Sequence, residues 1–228
     1  PANGSAMWNL YYNDANTNGL FDAGDTPITS MALYMDANPT ANVKQTTTGN
    51  YSQATQLYVG KSAIPKVRGA FRLNAAYKNF DLTAQFGYSI GGYAYDNFYS
   101  WLMDNDAIGQ NNFHTDIRNR WQKPGDVTNV PRLSDNFTTD TNYGSTSTRF
   151  LTKADYLALN NLKLGYNFPT RTLQDMNISK LNIFVTGDNL MMLSQRNGFN
   201  PSTSESGSSD IYRYNPLTSF SMGVKVEF

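Results

Sequence analysis

The chain contains no cysteine, which removes a disulfide framework and any thiolate metal site from consideration. Glutamate is nearly absent too, with two residues against 16 aspartates, and the charged residues cancel to a net charge of zero. Nothing in that balance asks for nucleic acid as a partner. No run approaches the ~18 apolar residues that a membrane helix needs, so a membrane-spanning reading can only be a β-barrel. A single histidine, His114, has no second histidine and no nucleophile pattern near it. It reads as a loop residue. With no paired acid and base at strand ends, the chain is expected not to be an enzyme and to need no organic cofactor. Neither an initiator methionine nor a signal peptide precedes Pro1, so the chain reads as a segment of something longer.

What is abundant is tyrosine (15), phenylalanine (13), asparagine, threonine, serine and glycine, a composition of strands and loops. The last nine residues set the pattern. Phe220, Met222, Val224, Val226 and Phe228 fall on one side of a period-2 strand, with Ser221, Gly223, Lys225 and Glu227 on the other. Ending flush on an aromatic is unusual, because termini normally fray into water.

Four further stretches alternate over similar lengths: Lys66 to Tyr77, Phe80 to Ile90, Asp155 to Phe168 and Lys180 to Leu190. The first two flank a two-residue turn, Lys78-Asn79, and form a long hairpin of membrane-strand length. In the third, Tyr156, Ala158, Leu162, Leu164, Tyr166 and Phe168 are expected to share a face interrupted by Asn160. The alternation sets Phe71, Leu73, Phe86, Tyr88, Leu162, Leu164, Ile183, Val185, Met222 and Val224 outward. It sets Arg68, Arg72, Thr83, Gln85, Lys163 and Lys225 toward a watery interior.

Between the strands lie long polar segments. Residues 1–65 read as a loop region outside the membrane, in which Met31 to Met35 and Leu57 to Val59 are expected to pair as a hairpin. It carries an Asp/Asn/Gly-rich loop with the spacing of a twelve-residue calcium site. There Asp14, Asn16, Asn18, Asp22 and Asp25 offer side-chain oxygens and Leu20 its carbonyl, with Gly19 at the turn. Asparagine stands at two acidic positions and a short Asp closes the loop, so a turn cluster that binds nothing is the other reading. Two more polar excursions follow, 91–154 and 191–216, and the first is too long for a compact soluble domain. Tyr93, Tyr95, Trp101 and Trp121, in the longer of them, are the candidates for stacking on sugar rings or covering a partner.

Several segments together resemble one family. They are YKNFDLTAQFGYSIGG (77–92), RWQKPGDVTNVPRLS (120–134), DYLALNNLKLGYNFP (155–169), LNIFVTGDNL (181–190), GFNP (198–201) and the ending Ser221, Gly223, Val226, Phe228. That ending is similar to the signal by which outer-membrane barrels are recognised for insertion. The ordered set resembles the C-terminal barrel portion of SusC/RagA-type TonB-dependent outer-membrane transporters. The resemblance implies an all-β fold, the C-terminal segment of a 22-stranded antiparallel transmembrane barrel, with 66–228 supplying strands and the plug domain absent from this chain. It also implies outer-membrane lipid around the barrel of a Gram-negative, Bacteroidetes-like bacterium. The implied partners are a SusD-like surface lipoprotein, the TonB complex acting through the missing N-terminal part, and an oligosaccharide or peptide substrate. The competing reading is a secreted calcium-binding β-sandwich, an adhesin or carbohydrate-binding module. The two differ in one respect: a sandwich buries the outward set against a second sheet, and a barrel leaves it uncovered.

Overall fold

Stretches that alternate apolar and polar residues bury one stripe most efficiently as strands, and five of them pair here into a single antiparallel sheet. The computed structural model describes residues 3–136, 138, 140–203, 207–208 and 215–228, with the side chains of Ala107 and Asp175 left aside. The remainder of the 191–216 excursion lies outside the described residues. In chain order the regular elements are β1 (Trp8–Asn13), β2 (Thr26–Ile28), α1 (Met31–Ala37), β3 (Val43–Thr48), β4 (Val67–Tyr77), β5 (Phe80–Ile90) and β6 (Tyr93–Tyr95). They continue with α2 (Asn97–Leu102), β7 (Leu151–Lys153), β8 (Tyr156–Asn167), α3 (Thr170–Leu173), β9 (Lys180–Ser194) and β10 (Ser219–Glu227). Among the described residues no helix is long and apolar enough to cross a membrane. The chain divides into a sheet unit, 62–97 with 151–228, and a loop unit, 1–61 with 98–150.

The sheet unit has the strand order β10-β9-β8-β5-β4. Its register aligns Ala75, Leu82, Leu164, Val185 and Met222 in one row across all five strands, and Asn74, Thr83, Lys163, Thr186 and Ser221 in the next. Neighbouring rows point to opposite faces. One face is therefore continuously apolar, and it is uncovered: Leu73, Leu82, Leu164, Val185, Phe220, Met222 and Val224 are all exposed. Leaving so large an apolar area in water is costly at about 25 cal/mol per Å². Among the described residues no second sheet buries it, so the sandwich is not formed. Rings on this face interlock across strands. Phe71 stacks on Phe86 at 4.9 Å, Phe80 meets Tyr166 at 4.9 Å, and Tyr166 meets Phe168 edge-on at 5.0 Å. Tyr88 lies over Gly69, where a Cβ would come within 2.9 Å of its hydroxyl.

The expected register of β8 holds only in its second half. The pairing slips between Leu159 and Asn161, leaving Asn160 as an extra residue. This bulge reverses the parity. Leu157 and Leu159 join the apolar face, opposite Tyr88 and Phe86, while Tyr156 and Ala158 turn to the polar one. The partner position makes this possible, because Gly87 has no side chain and a Cβ there would lie 2.8 Å from the Asn160 amide. A matching insertion at Asn189 and Leu190 carries β9 on to Ser194, and Asn189 takes the left-handed conformation that asparagine tolerates.

The loop unit contains the small sheet β2-β1-β3, whose inner residues Leu10, Tyr12 and Ile28 are almost fully buried. The expected hairpin of Met31–Met35 with Leu57–Val59 does not form. Met31–Ala37 is the helix α1, and the link is instead the Met31 N–H donating to the Gln56 carbonyl at 3.1 Å. A five-residue apolar run is too short for periodicity to separate helix from strand.

Candidate functional site

The terminal strand β10 pairs with β9 along its whole length. Ser221 and Gly223 lie on the polar face opposite Thr186 and Phe184, and Val226 lies on the apolar face opposite Leu181. Gly223 has to be small, since a Cβ there would come within 2.4 Å of the Phe184 ring. Glu227 fastens the end of the strand: its carboxylate meets Lys180 at 2.9 Å and Lys225 at 3.0 Å, and its carbonyl accepts from the Ser179 N–H at 2.7 Å. Phe228 follows the strand and is 92% exposed.

On the polar face, Asp81, Asn167 and Asn182 from three strands form a hydrogen-bonded ladder. The Asn167 amide donates to Asp81 at 2.9 Å, and the Asn182 amide donates to Asn167 at 2.8 Å and to Asp81 at 3.2 Å. Gly165 leaves room for the Asp81 carboxylate, 2.5 Å from where its Cβ would be. Lys163 sits over the Phe184 ring at 4.4 Å. A face carrying these groups needs water or polar protein against it.

The four aromatic candidates divide between the units. Tyr93 and Tyr95 are half-buried on β6, which pairs with β7. Trp101 on α2 is exposed and lies beside Phe98, ring centres 6.0 Å apart, giving a two-ring apolar surface. Trp121 packs on Gly4, whose positive φ of 73° and missing side chain let the indole approach. Of the four, Trp101 is the exposed one, and Trp121 is half-buried against Gly4.

The Asp14–Asp25 loop closes on itself through its own oxygens. Asp14 is buried and accepts from the Asn18 and Gly19 N–H groups at 3.1 and 3.0 Å, and Asp25 accepts from Ala15 and Asp22 at 3.1 Å each. The amides of Asn16 and Asn18 donate to Asp22, the shortest contact being 2.7 Å. With the Gly24 N–H first among the causes, these donors hold the Asp22 carboxyl below its usual range. Among the described residues no three His, Cys, Asp or Glu side chains gather at metal-binding distance. The donor set is nevertheless all hard oxygen once the two amides turn their carbonyls inward, and each carboxylate oxygen keeps a second lone pair beside the one its N–H donor uses.

Sequence reasoning missed Asp140. It is buried in the loop unit and accepts from Ser5 at 2.8 Å, Tyr143 at 3.0 Å, and Arg132 through two nitrogens at 3.1 and 2.6 Å. Burial works to raise its pKa, yet hydrogen bonds from Ser134, Arg132, Ser5 and Tyr143 outweigh that and hold it at about 2. A carboxyl depressed in the folded state stabilises above its unfolded pKa, near 4, and loses that stabilisation as pH falls toward 2. The expected result is an acid-induced loosening of this unit between about pH 4 and 2, worth roughly 2 kcal/mol, that Asp140→Asn abolishes. Tryptophan emission of the full-length protein against pH reads it, and an unchanged acid transition in the variant contradicts it. His114 lies in the same unit, accepting from the Asp116 N–H at 3.2 Å and standing edge-on to Tyr99.

No family model matches this chain. Its structure aligns with that of the RagAB peptide transporter at a TM-score of 0.67 and 22% identity, covering 98% of this chain and 23% of that one. It aligns with the RagAB peptide importer in its open-open state at 0.65 and 23%, again over 98% of this chain and 22% of the other. The fold is that of a wall segment of an antiparallel β-barrel. Among curated proteins, the segment is 24% identical over 222 residues to TonB-dependent receptor P3 of Formosa agariphila, covering 92% of this chain and 21% of the receptor. It is 28% identical over 167 residues to TonB-dependent receptor P39 of the same organism, covering 70% of this chain and 16% of the receptor. The chain thus spans between about a sixth and a fifth of the length of these relatives. Receptors and importers, rather than enzymes, are what the segment is similar to, and the SusC/RagA resemblance stands.

Proposed function

We propose that this chain is the C-terminal part of a TonB-dependent outer-membrane importer. The protein takes up oligosaccharides or peptides with a SusD-like lipoprotein over its mouth, and draws energy from the TonB complex through its N-terminal part. One observation carries the reading: a five-stranded antiparallel sheet has one uncovered apolar face and one polar face. Two open edges, on β4 and β10, go with it. Unpaired strand edges are not tolerated in lipid, so further strands of the longer protein close the barrel on both sides. With Phe228 at the periplasmic end, the Lys78-Asn79 turn and the connection through α3 are periplasmic. The chain then leaves the sheet toward residues 1–65, 91–154 and 191–216 on the cell exterior. Trp101 is the residue we assign to contact with the lipoprotein or substrate.

The test is uptake by intact cells. Cells lacking the full-length protein are expected to stop accumulating the oligosaccharide or peptide, as are wild-type cells whose proton gradient is collapsed. A surface lipoprotein is expected to co-purify with the intact importer. Uptake that continues without the proton gradient argues against the mechanism.

For the Asp14 loop we propose a structural calcium ion held by Asp14, Asn16, Asn18, the Leu20 carbonyl, Asp22 and Asp25. Calorimetric titration of the full-length protein is expected to give heat with calcium and none after Asp14→Ala. Identical traces for the two proteins dispose of the site.

A further inference from the structure

On the apolar face, the register sets Gly69, Tyr88, Leu157 and Leu193 in one row near the exterior end of the sheet. Tyr88 leans toward β4 over Gly69, where a Cβ would lie 2.9 Å from the tyrosine hydroxyl. The strip on the β8 side of the ring is thereby left open. It is a groove of about 500 Å³, floored by Tyr88, Ile90, Leu157 and Leu193, with Ile90 53% and Leu193 55% exposed. Two insertions build this floor: Asn160 turns Leu157 to the apolar face, and Asn189 with Leu190 carries β9 on to Leu193. The acidic and amide side chains of the lining, Asp155 and Gln195, stand just beyond the ends of β8 and β9. One Asp155 oxygen accepts from the Gly91 N–H at 2.6 Å, and the Ser194 hydroxyl, donating to the Phe199 carbonyl at 2.6 Å, holds the turn after Gln195.

We propose that this groove holds an acyl chain of an outer-leaflet lipid, with Asp155 accepting from a donor in the headgroup; the proposal rests on the importer reading above, which puts this face in the membrane. The floor is continuous with the uncovered apolar face, so a chain lying in it remains in hydrocarbon. Its level fits as well. Tyr88 lies eight residues along β5 from Phe80, which at ~3.3 Å per residue and ~40° tilt is roughly 20 Å up an apolar band about 25 Å tall. Acyl chains meet headgroups at that height. An apolar floor with a carboxylate and an amide above it repeats the order of a lipid's own parts. A chain resting on the flat wall gains contact on one side, whereas one in the groove gains it on two and adds a headgroup hydrogen bond.

The experiment is native mass spectrometry of the purified full-length protein with two probes. Dipalmitoyl phosphatidylethanolamine has an ammonium that can donate to Asp155; dipalmitoyl phosphatidylmethanol has no such donor. One molecule of the first is expected to stay bound per barrel, about 5-fold tighter than the second, the increment of one hydrogen bond. Leu157→Trp and Leu193→Trp, which fill the groove, are each expected to weaken that binding about 10-fold or more. Asp155→Asn is expected to remove the preference between the two lipids, and Leu82→Trp, elsewhere on the same face, to change neither. Retention undiminished in both groove variants, or lost equally in Leu82→Trp, overturns the site, as does a headgroup preference that survives Asp155→Asn. Lipid that binds only after the co-purified lipoprotein is stripped away assigns the groove to that protein's anchor and overturns it too. The heat-modifiable band of each variant reports barrel assembly, and with it the reading on which the site rests, separately.

Discussion

Replacing Leu164 with arginine in the full-length protein is expected to remove most of the assembled barrel from the outer membrane. Leu164 lies on the uncovered face of β8, three residues before its end, 50% exposed, flanked across the sheet by Leu82 and Val185. A guanidinium there would sit on the lipid face, where arginine costs about 2–4 kcal/mol at the bilayer midplane and less toward the interfaces. The adjacent residue is already cationic: Lys163 lies on the opposite face between Thr83 and Thr186. Lys163→Gln is therefore expected to assemble at wild-type levels. The heat-modifiable band on a gel measures both variants, and equal loss in the two would mean that the faces are not distinguished by lipid.

Loss of the terminal strand is the second large effect, and its two parts separate stability from recognition. Deleting residues 219–228 strips β9 of its partner along the nine register pairs from Ser219 to Glu227. The backbone groups exposed would each cost several kcal/mol in hydrocarbon, so no barrel is expected. Removing Phe228 alone takes away little packing, since the residue is 92% exposed and lies beyond the strand. If its similarity to the insertion signal is functional, the amount of barrel falls several-fold while the thermal midpoint of what assembles is unchanged. A lowered midpoint in the Phe228 deletion would assign the residue a packing role instead.

The sheet was legible because its signal is local. Period-2 alternation located all five long strands to within a few residues at their starts, and it placed Phe71, Phe86, Leu164, Val185 and Met222 on one face without knowledge of their partners. It failed where one residue changes the phase. Asn160 looks like a polar interruption of a regular strand, and only the pairing with Gly87 reveals an inserted residue that turns Leu157 and Leu159 outward. The extension of β9 past Leu190 was hidden for the same reason. In the loop unit, position along the chain carries almost no information. Asp140 is one aspartate among many, and its partners Ser5, Arg132 and Tyr143 become a site only when folding gathers them. The Asp14 loop was readable because all its oxygens lie within twelve consecutive positions.

The absence of cysteine from this segment permits the most direct test of the lipid-facing wall. Single cysteines along β8 of the full-length protein, freed of any cysteines elsewhere, are spin-labelled in bilayers, and their collision rates with oxygen and with a water-soluble nickel complex are compared. Oxygen is expected to dominate at positions 157, 159, 162 and 164, and nickel at 156, 158, 161 and 163, with the alternation changing phase at Asn160. Unbroken alternation through Asn160, or nickel access at both sets of positions, would contradict a membrane wall with this register.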